Sequence, residues 1–342
     1  MTTDSYDANA LSPSDATRAI ATATAARQPV FLWGPPGIGK SSLVEQEAAT
    51  RGKCLTVILS QMDPVDLRGL PYVDPETKRA AWATPDFLPY VERDGEHGTL
   101  FLDELPNAHR SVQTAAMQLT LARTLGAYTV PDGWAVIAAG NRRQDRAAAG
   151  AVPSALLNRF APHIDVRPDL EDWCSWALSN AVRPEVVAFV RFKPGLLFDF
   201  RPEADARAFP TPRSWEKLSR LLDAAPPSGL ELPIFAGTVG QGAAGEFLAF
   251  MRTWRQLPNP DAVLLDPDGS PVPTEPSTLY ALSGALAARA TPQNVDRLAR
   301  YVGRMPAEFG VVTMRDASRR DPDVISTPAF IGWMADNHAL MS

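Results

Sequence analysis

Gly34, Gly39, Lys40 and Ser41 fall in the spacing G-x-x-x-x-G-K-[ST]. The chemistry that asks for this order is the holding of a phosphate chain. The glycines let backbone N–H groups turn inward around phosphate oxygens. A helix opening at Lys40 adds unbonded N–H donors and the positive end of its dipole. The Lys40 ammonium is then placed for the β- and γ-phosphates and the Ser41 hydroxyl for Mg²⁺. The expected nucleotide contacts are Gly34, Pro35, Pro36, Gly37, Ile38, Gly39, Lys40, Ser41 and Ser42.

Such a loop needs a carboxylate at the end of a neighbouring strand. The apolar triplet Leu100–Leu102 runs into Asp103 and Glu104, 63 positions after Lys40. Asp103 is expected to hold Mg²⁺, directly or through water. Glu104 is expected to orient and polarise the attacking water. An acidic pair after an apolar run is weak alone; the phosphate loop gives it meaning. The expected cofactors are ATP and Mg²⁺, and the expected reaction is ATP hydrolysis.

The elements that must position these residues alternate. Ser14–Ala26 reads as a helix, Val30–Trp33 as a short apolar strand and Lys40–Ala49 as a helix. Further strands are expected at Cys54–Leu59, Leu100–Leu102, Trp134–Ala139 and His163–Val166, with a helix at Val112–Leu121. Apolar runs without polar alternation suit strands covered on both faces. The fold class is therefore α/β, with a parallel five-stranded sheet in residues 1–167. From 168 to 342 the pattern is helical, with helices expected at Glu171–Ser179, Pro184–Phe192, Ser214–Ala224, Glu246–Arg255, Thr278–Arg289, Gln293–Arg304 and Ala329–His338. The Pro-, Asp- and Gly-rich stretch Leu257–Pro276 reads as a surface loop. Residues 1–12 read as flexible.

The loop and the acidic pair together resemble the AAA+ superfamily. Three further segments extend the likeness. Asn141 follows the apolar run WAVIAAG, where the family carries its polar sensor 1 residue. Leu156-Leu157-Asn158-Arg159-Phe160 resembles the arginine-finger segment. Pro210–Trp215 (PTPRSW) resembles the sensor 2 segment, with Arg213 near the start of a lid helix. Within the superfamily the chain is most similar to the MoxR-type group, of the dynein-related subfamily, which includes CbbQ, NorQ and GvpN. Val65-Asp66-Leu67-Arg68-Gly69 looks like that group's D-L-x-G segment, and residues 70–84 like its hairpin insertion. Gly126–Asp132 looks like the hairpin before sensor 1. The likeness covers about residues 12–225.

The resemblance implies catalytic roles for Lys40, Glu104, Asn141, Arg159 and Arg213, Mg²⁺ at Ser41 and Asp103, and an all-α lid domain. An arginine finger acts on a neighbour's γ-phosphate, so the resemblance also implies a homo-oligomer, most often a hexameric ring. The group commonly acts as a chaperone-like remodeller of a separate protein, sometimes one with a von Willebrand factor A domain. A McrB-like nucleic-acid motor and a non-catalytic nucleotide-binding scaffold stay open as alternatives. There are departures: Leu105-Pro106-Asn107-Ala108 lacks the group's arginine at that point, and Arg142-Arg143 replaces the proline after sensor 1. Those arginines either meet a neighbour or sit in solvent. Tyr72, Trp82 and Tyr128 either contact a substrate or pack.

The remaining composition narrows the classes. A net charge of −6 argues against nucleic acid as the main partner. The two cysteines, Cys54 and Cys174, make no disulfide framework or zinc spacing; Cys54 reads as a small buried hydrophobe. The N-terminus lacks the pattern of a secretory leader, and no run of about 18 apolar residues occurs, so a cytoplasmic protein without a membrane span is expected.

Overall fold

The structure is a computed structural model that describes residues 9–145, 152–201 and 206–338. These form two compact units. One holds the residues up to Pro168 together with Arg201; the other holds Asp169–Phe200 and 206–338.

The first unit is built on five strands: β1 (Val30–Trp33), β2 (Lys53–Ile58), β3 (His97–Asp103), β4 (Gly133–Gly140) and β5 (His163–Asp165). All pair in parallel, in the order β2-β3-β4-β1-β5. Three longer helices cover the sheet: α1 (Pro13–Ala25), α2 (Lys40–Ala49) and α3 (Arg110–Leu121). The strand periodicity of two divides the core cleanly. Val30, Leu32, Phe101, Ile137 and Ala139 face Ile20 of α1 and Val44 of α2. Phe31, Leu100, Leu102, Val136 and Ala138 face Val112 and Leu119 of α3. Both faces are buried at β1, β3 and β4, which is why these strands read as continuous apolar runs.

Ser12 caps α1, its hydroxyl accepting from the Asp15 N–H at 3.3 Å. Part of the stretch expected to be flexible is in fact tied down. Leu11 bridges to Val166 beside β5, its N–H donating to the Asp165 carbonyl at 2.8 Å. Residues 1–8 of that stretch lie outside the described residues. β3 and β4 run longer than expected at both ends. Cys54 is half-buried, because β2 is an edge strand.

Two antiparallel hairpins project from the sheet connections: Leu70–Val73 with Ala80–Ala83, and Thr124–Leu125 with Tyr128–Thr129. Tyr128 is buried and donates its hydroxyl to the Pro89 carbonyl at 2.6 Å, so it packs. Tyr72 and Trp82 are about half exposed.

Among the described residues of the second unit, all regular secondary structure is helical. One cluster centres on Phe189, Trp215, Phe235 and Phe247; another on Leu282, Leu298, Tyr301 and Met314. The stretch Leu257–Pro276 is a correction to the surface-loop reading. It contains the helix Pro260–Leu265, whose Val263 and Leu264 are buried in the second cluster. Its remainder is held by Arg304, which donates to the Pro267 and Ser270 carbonyls at 2.6 and 2.8 Å. Two further helices, Glu231–Val239 and Ala307–Arg320, carry Pro233, Gly237, Gly310 and a Val-Val-Thr run. Packing overrides their poor intrinsic propensity. Among the described residues no helix is long and apolar enough to cross a membrane.

Candidate functional site

β1 lies between β4 and β5, while the chain leaves β1 for β2 at the far edge. This reversal opens a crevice at the C-terminal ends of β1 and β4, where open α/β sheets place ligands. Registers bring the expected residues there. Trp33 pairs with Gly140, so Gly34 and Asn141 leave adjacent strands side by side. Asp103 closes β3, opposite Ile58 of β2.

Gly39 has φ +104, a left-handed conformation that lets the loop turn directly into α2. The first turn of α2 carries no acidic side chain to compete for its N–H groups. Lys40 is buried, and its ammonium donates to the carbonyls of Gly34 (2.7 Å) and Pro35 (3.0 Å) and to Asn141 Oδ1 (2.8 Å). Ser41 donates to Asp103 Oδ2 at 2.8 Å. Hydroxyl and carboxylate thus converge as hard oxygen donors, a set that fits Mg²⁺. Gly140 has its own steric reason: a Cβ there would lie 2.3 Å from the Pro106 ring.

Glu104 sits at φ 56, ψ 30 without being glycine, a sparsely populated conformation. Its N–H donates to Asp103 Oδ1 at 2.8 Å, and its carboxylate accepts from the Ser60 hydroxyl. Ser60 was not singled out from the sequence. Its signal is positional: it follows β2, which lies beside β3.

Arg142, left open between a neighbour and solvent, is bound within its own chain. Its Nε and one terminal nitrogen donate to the Asp145 carboxylate at 3.2 and 3.0 Å, and Asp165 lies 3.9 Å away. Arg143 is exposed. Arg159 precedes β5, so it lies at the N-terminal ends of the strands, the pole opposite its own phosphate loop. Arg213 belongs to the second unit. It is exposed in the first turn of Pro212–Asp223, a helix capped by Thr211 and Ser214. A cation there faces the positive end of the helix dipole, which disfavours it by about 0.3–1 kcal/mol.

A hydrogen-bonded link joins the two poles. Trp33, just before the loop, donates Nε1–H to His163 Nδ1 at 3.0 Å. His163 Nε2 lies 3.0 Å from the Leu157 carbonyl, in the segment that ends in Arg159. Both bonds are satisfied by the neutral tautomer protonated at Nε2.

A parallel sheet ending in a glycine loop, a buried lysine and a hydroxyl–carboxylate pair defines a P-loop nucleotide-binding module. Residues 29–160 match the family model described as AAA domain (dynein-related subfamily). The matched stretch lies within the first unit, whose parallel sheet has the AAA+ P-loop fold. No curated protein matches the chain. Among solved structures, it is similar to NtrX from Brucella abortus in complex with ADP, at 14% identity and a TM-score of 0.41, covering 96% of this chain and 68% of that one. It is also similar to a RuvB mutant from Thermotoga maritima, at 15% identity and a TM-score of 0.37, covering 80% of each chain.

Proposed function

We propose that the chain is a cytoplasmic, ring-forming, Mg²⁺-dependent ATPase of the MoxR type that remodels or activates a separate protein. The observation that carries the reading is that Lys40 bonds Asn141 and Ser41 bonds Asp103 at one crevice, with Glu104 next along the chain. In this reading residues 34–42 wrap the phosphates, and Lys40 exchanges a loop carbonyl for a phosphate oxygen. Ser41 and Asp103 hold Mg²⁺, which supplies charge neutralisation at the phosphate oxygens. Asn141 and Glu104 position the attacking water, and Glu104 takes its proton. Arg159 serves the neighbouring subunit's site, since it stands at the wrong pole for its own; six subunits close the ring. Arg213 keeps the sensor 2 role that its segment's resemblance implies.

A protein client is favoured over nucleic acid by the hairpin Leu70–Ala83. Leu70 and Val73 are about two-thirds exposed, and Tyr72 and Trp82 add aromatic surface. Such a surface suits an apolar protein segment, including one presented by a von Willebrand factor A domain partner. The decisive experiment is Glu104→Gln. ATP binding is expected to persist while turnover falls roughly 10²–10⁴-fold. Wild-type turnover in that variant would remove Glu104 from the mechanism. Stimulation of the wild-type rate by DNA or RNA, with none by protein, would exclude the remodelling role.

A further inference from the structure

At the pole opposite the phosphate loop, four arginines line one cavity of about 210 Å³: Arg27, Arg51, Arg123 and Arg159. Among its described lining residues Asp132 is the carboxylate. Arg27 follows α1, Arg51 follows α2 and Arg123 follows α3, and β4 begins at the cavity wall. Three helix C-termini meet here, and their negative ends account for part of this charge.

Two of the arginines are used in that way. Arg51 donates to Glu47 Oε1 at 2.7 Å and to Thr24 Oγ1 at 2.5 Å. Arg123 donates to the Pro131 and Trp134 carbonyls, each at 2.7 Å. Burial holds the Arg123 guanidinium below its ordinary range; Asp132 opposes this and Arg27 adds to it. Arg27 and Arg159 are left over. Neither makes a side-chain hydrogen bond or ion pair with a described residue, and Arg159 Nε is buried without an acceptor. Excess positive charge, room for a small molecule and a buried N–H lacking an acceptor together ask for a ligand with several charged oxygens.

We propose that this cavity binds a phosphate-class oxoanion between Arg27 and Arg159, with Arg51 and Arg123 as its wall. The ligand is a free phosphate or phosphate ester. This binding needs no ATPase activity.

The test uses Lys40→Ala protein, in which the phosphate loop is silenced, titrated with inorganic phosphate and with tripolyphosphate at constant ionic strength. Thermal midpoint and calorimetry are the readouts. For a free oxoanion, phosphate raises the midpoint, and adding Arg27→Ala or Arg159→Ala weakens binding about tenfold each. Wild-type protein saturated with MgADP gives the same ranking should Lys40→Ala fold poorly. The proposal is overturned by a phosphate response equal in all variants or reproduced by chloride, or by no response to phosphate at all. Normal turnover in Arg159→Ala would remove the finger role while leaving the phosphate titration intact, so the two readings fail separately.

Discussion

In the first unit, Lys40, Ser41, Asp103 and Asn141 gather at strand ends and bond to one another across a crevice. In the second, Arg191 and Asp316 are paired with each other in the interior, with side chains only 4% and 3% exposed. Glu171 lies 3.8 Å from Arg191 and 3.2 Å from Arg315. The same residue types thus serve two ends. Groups at an open strand end can exchange a protein partner for a ligand. A charge pair between the helices Pro184–Phe192 and Ala307–Arg320 can exchange only with water, at a desolvation cost. Variants in the first unit should therefore change chemistry and leave stability nearly intact, and those in the second should do the reverse.

The sharpest break of that contrast is Arg159→Ala. Loss of a finger acting in trans should lower turnover roughly 10³-fold or more with little change in unfolding midpoint. Mixing it with Glu104→Gln subunits should restore activity, because intact halves then meet at some interfaces. Steady-state assays of the mixture check this, and an inactive mixture would break the trans assignment. Next is Asp316→Ala, which leaves Arg191 buried without its main partner. It should cost about 3–5 kcal/mol in denaturant unfolding, while Arg191→Met/Asp316→Leu recovers most of that loss. Nucleotide affinity in the folded protein should not move.

Ser60→Ala should be milder. Glu104 keeps its place but loses the donor that holds its carboxylate, so kcat should fall several-fold with KM unchanged. Equal rates would show that this bond has no part in turnover. The smallest effect is an alkaline one in the second unit. Burial pushes the Cys174 thiol up to about 12, against the partial opposition of Arg191. Raised in the fold, this group contributes stability below the unfolded thiol value of roughly 8.5, lost as pH climbs toward about 12. Chemical denaturation of wild type and Cys174→Ala across that range should converge as pH rises.

The phosphate loop was readable because its chemistry is local: eight consecutive residues carry the glycine turn, the lysine and the hydroxyl. The central strands β1, β3 and β4 were readable because burial on both faces leaves nearly unbroken apolar runs. The helices Glu231–Val239 and Ala307–Arg320 were hidden by Pro233, Gly237 and Gly310, residues that discourage a helix locally and are outweighed by packing. The helix inside Leu257–Pro276 was hidden in the same way, by a turn-rich composition around two buried side chains.

What the sequence by itself determined is the identity of the groups at the nucleotide crevice and the α/β class that carries them. The tertiary structure alone decided which distant groups meet. It set Ser60 on Glu104, joined Trp33 to Leu157 through His163, bound Arg142 to Asp145 and drew four arginines from the ends of separate elements into one cavity. The reason is physical. A motif is read from spacing along the chain, whereas these partners are set by strand order and register, which the sheet fixes only when its whole core is buried.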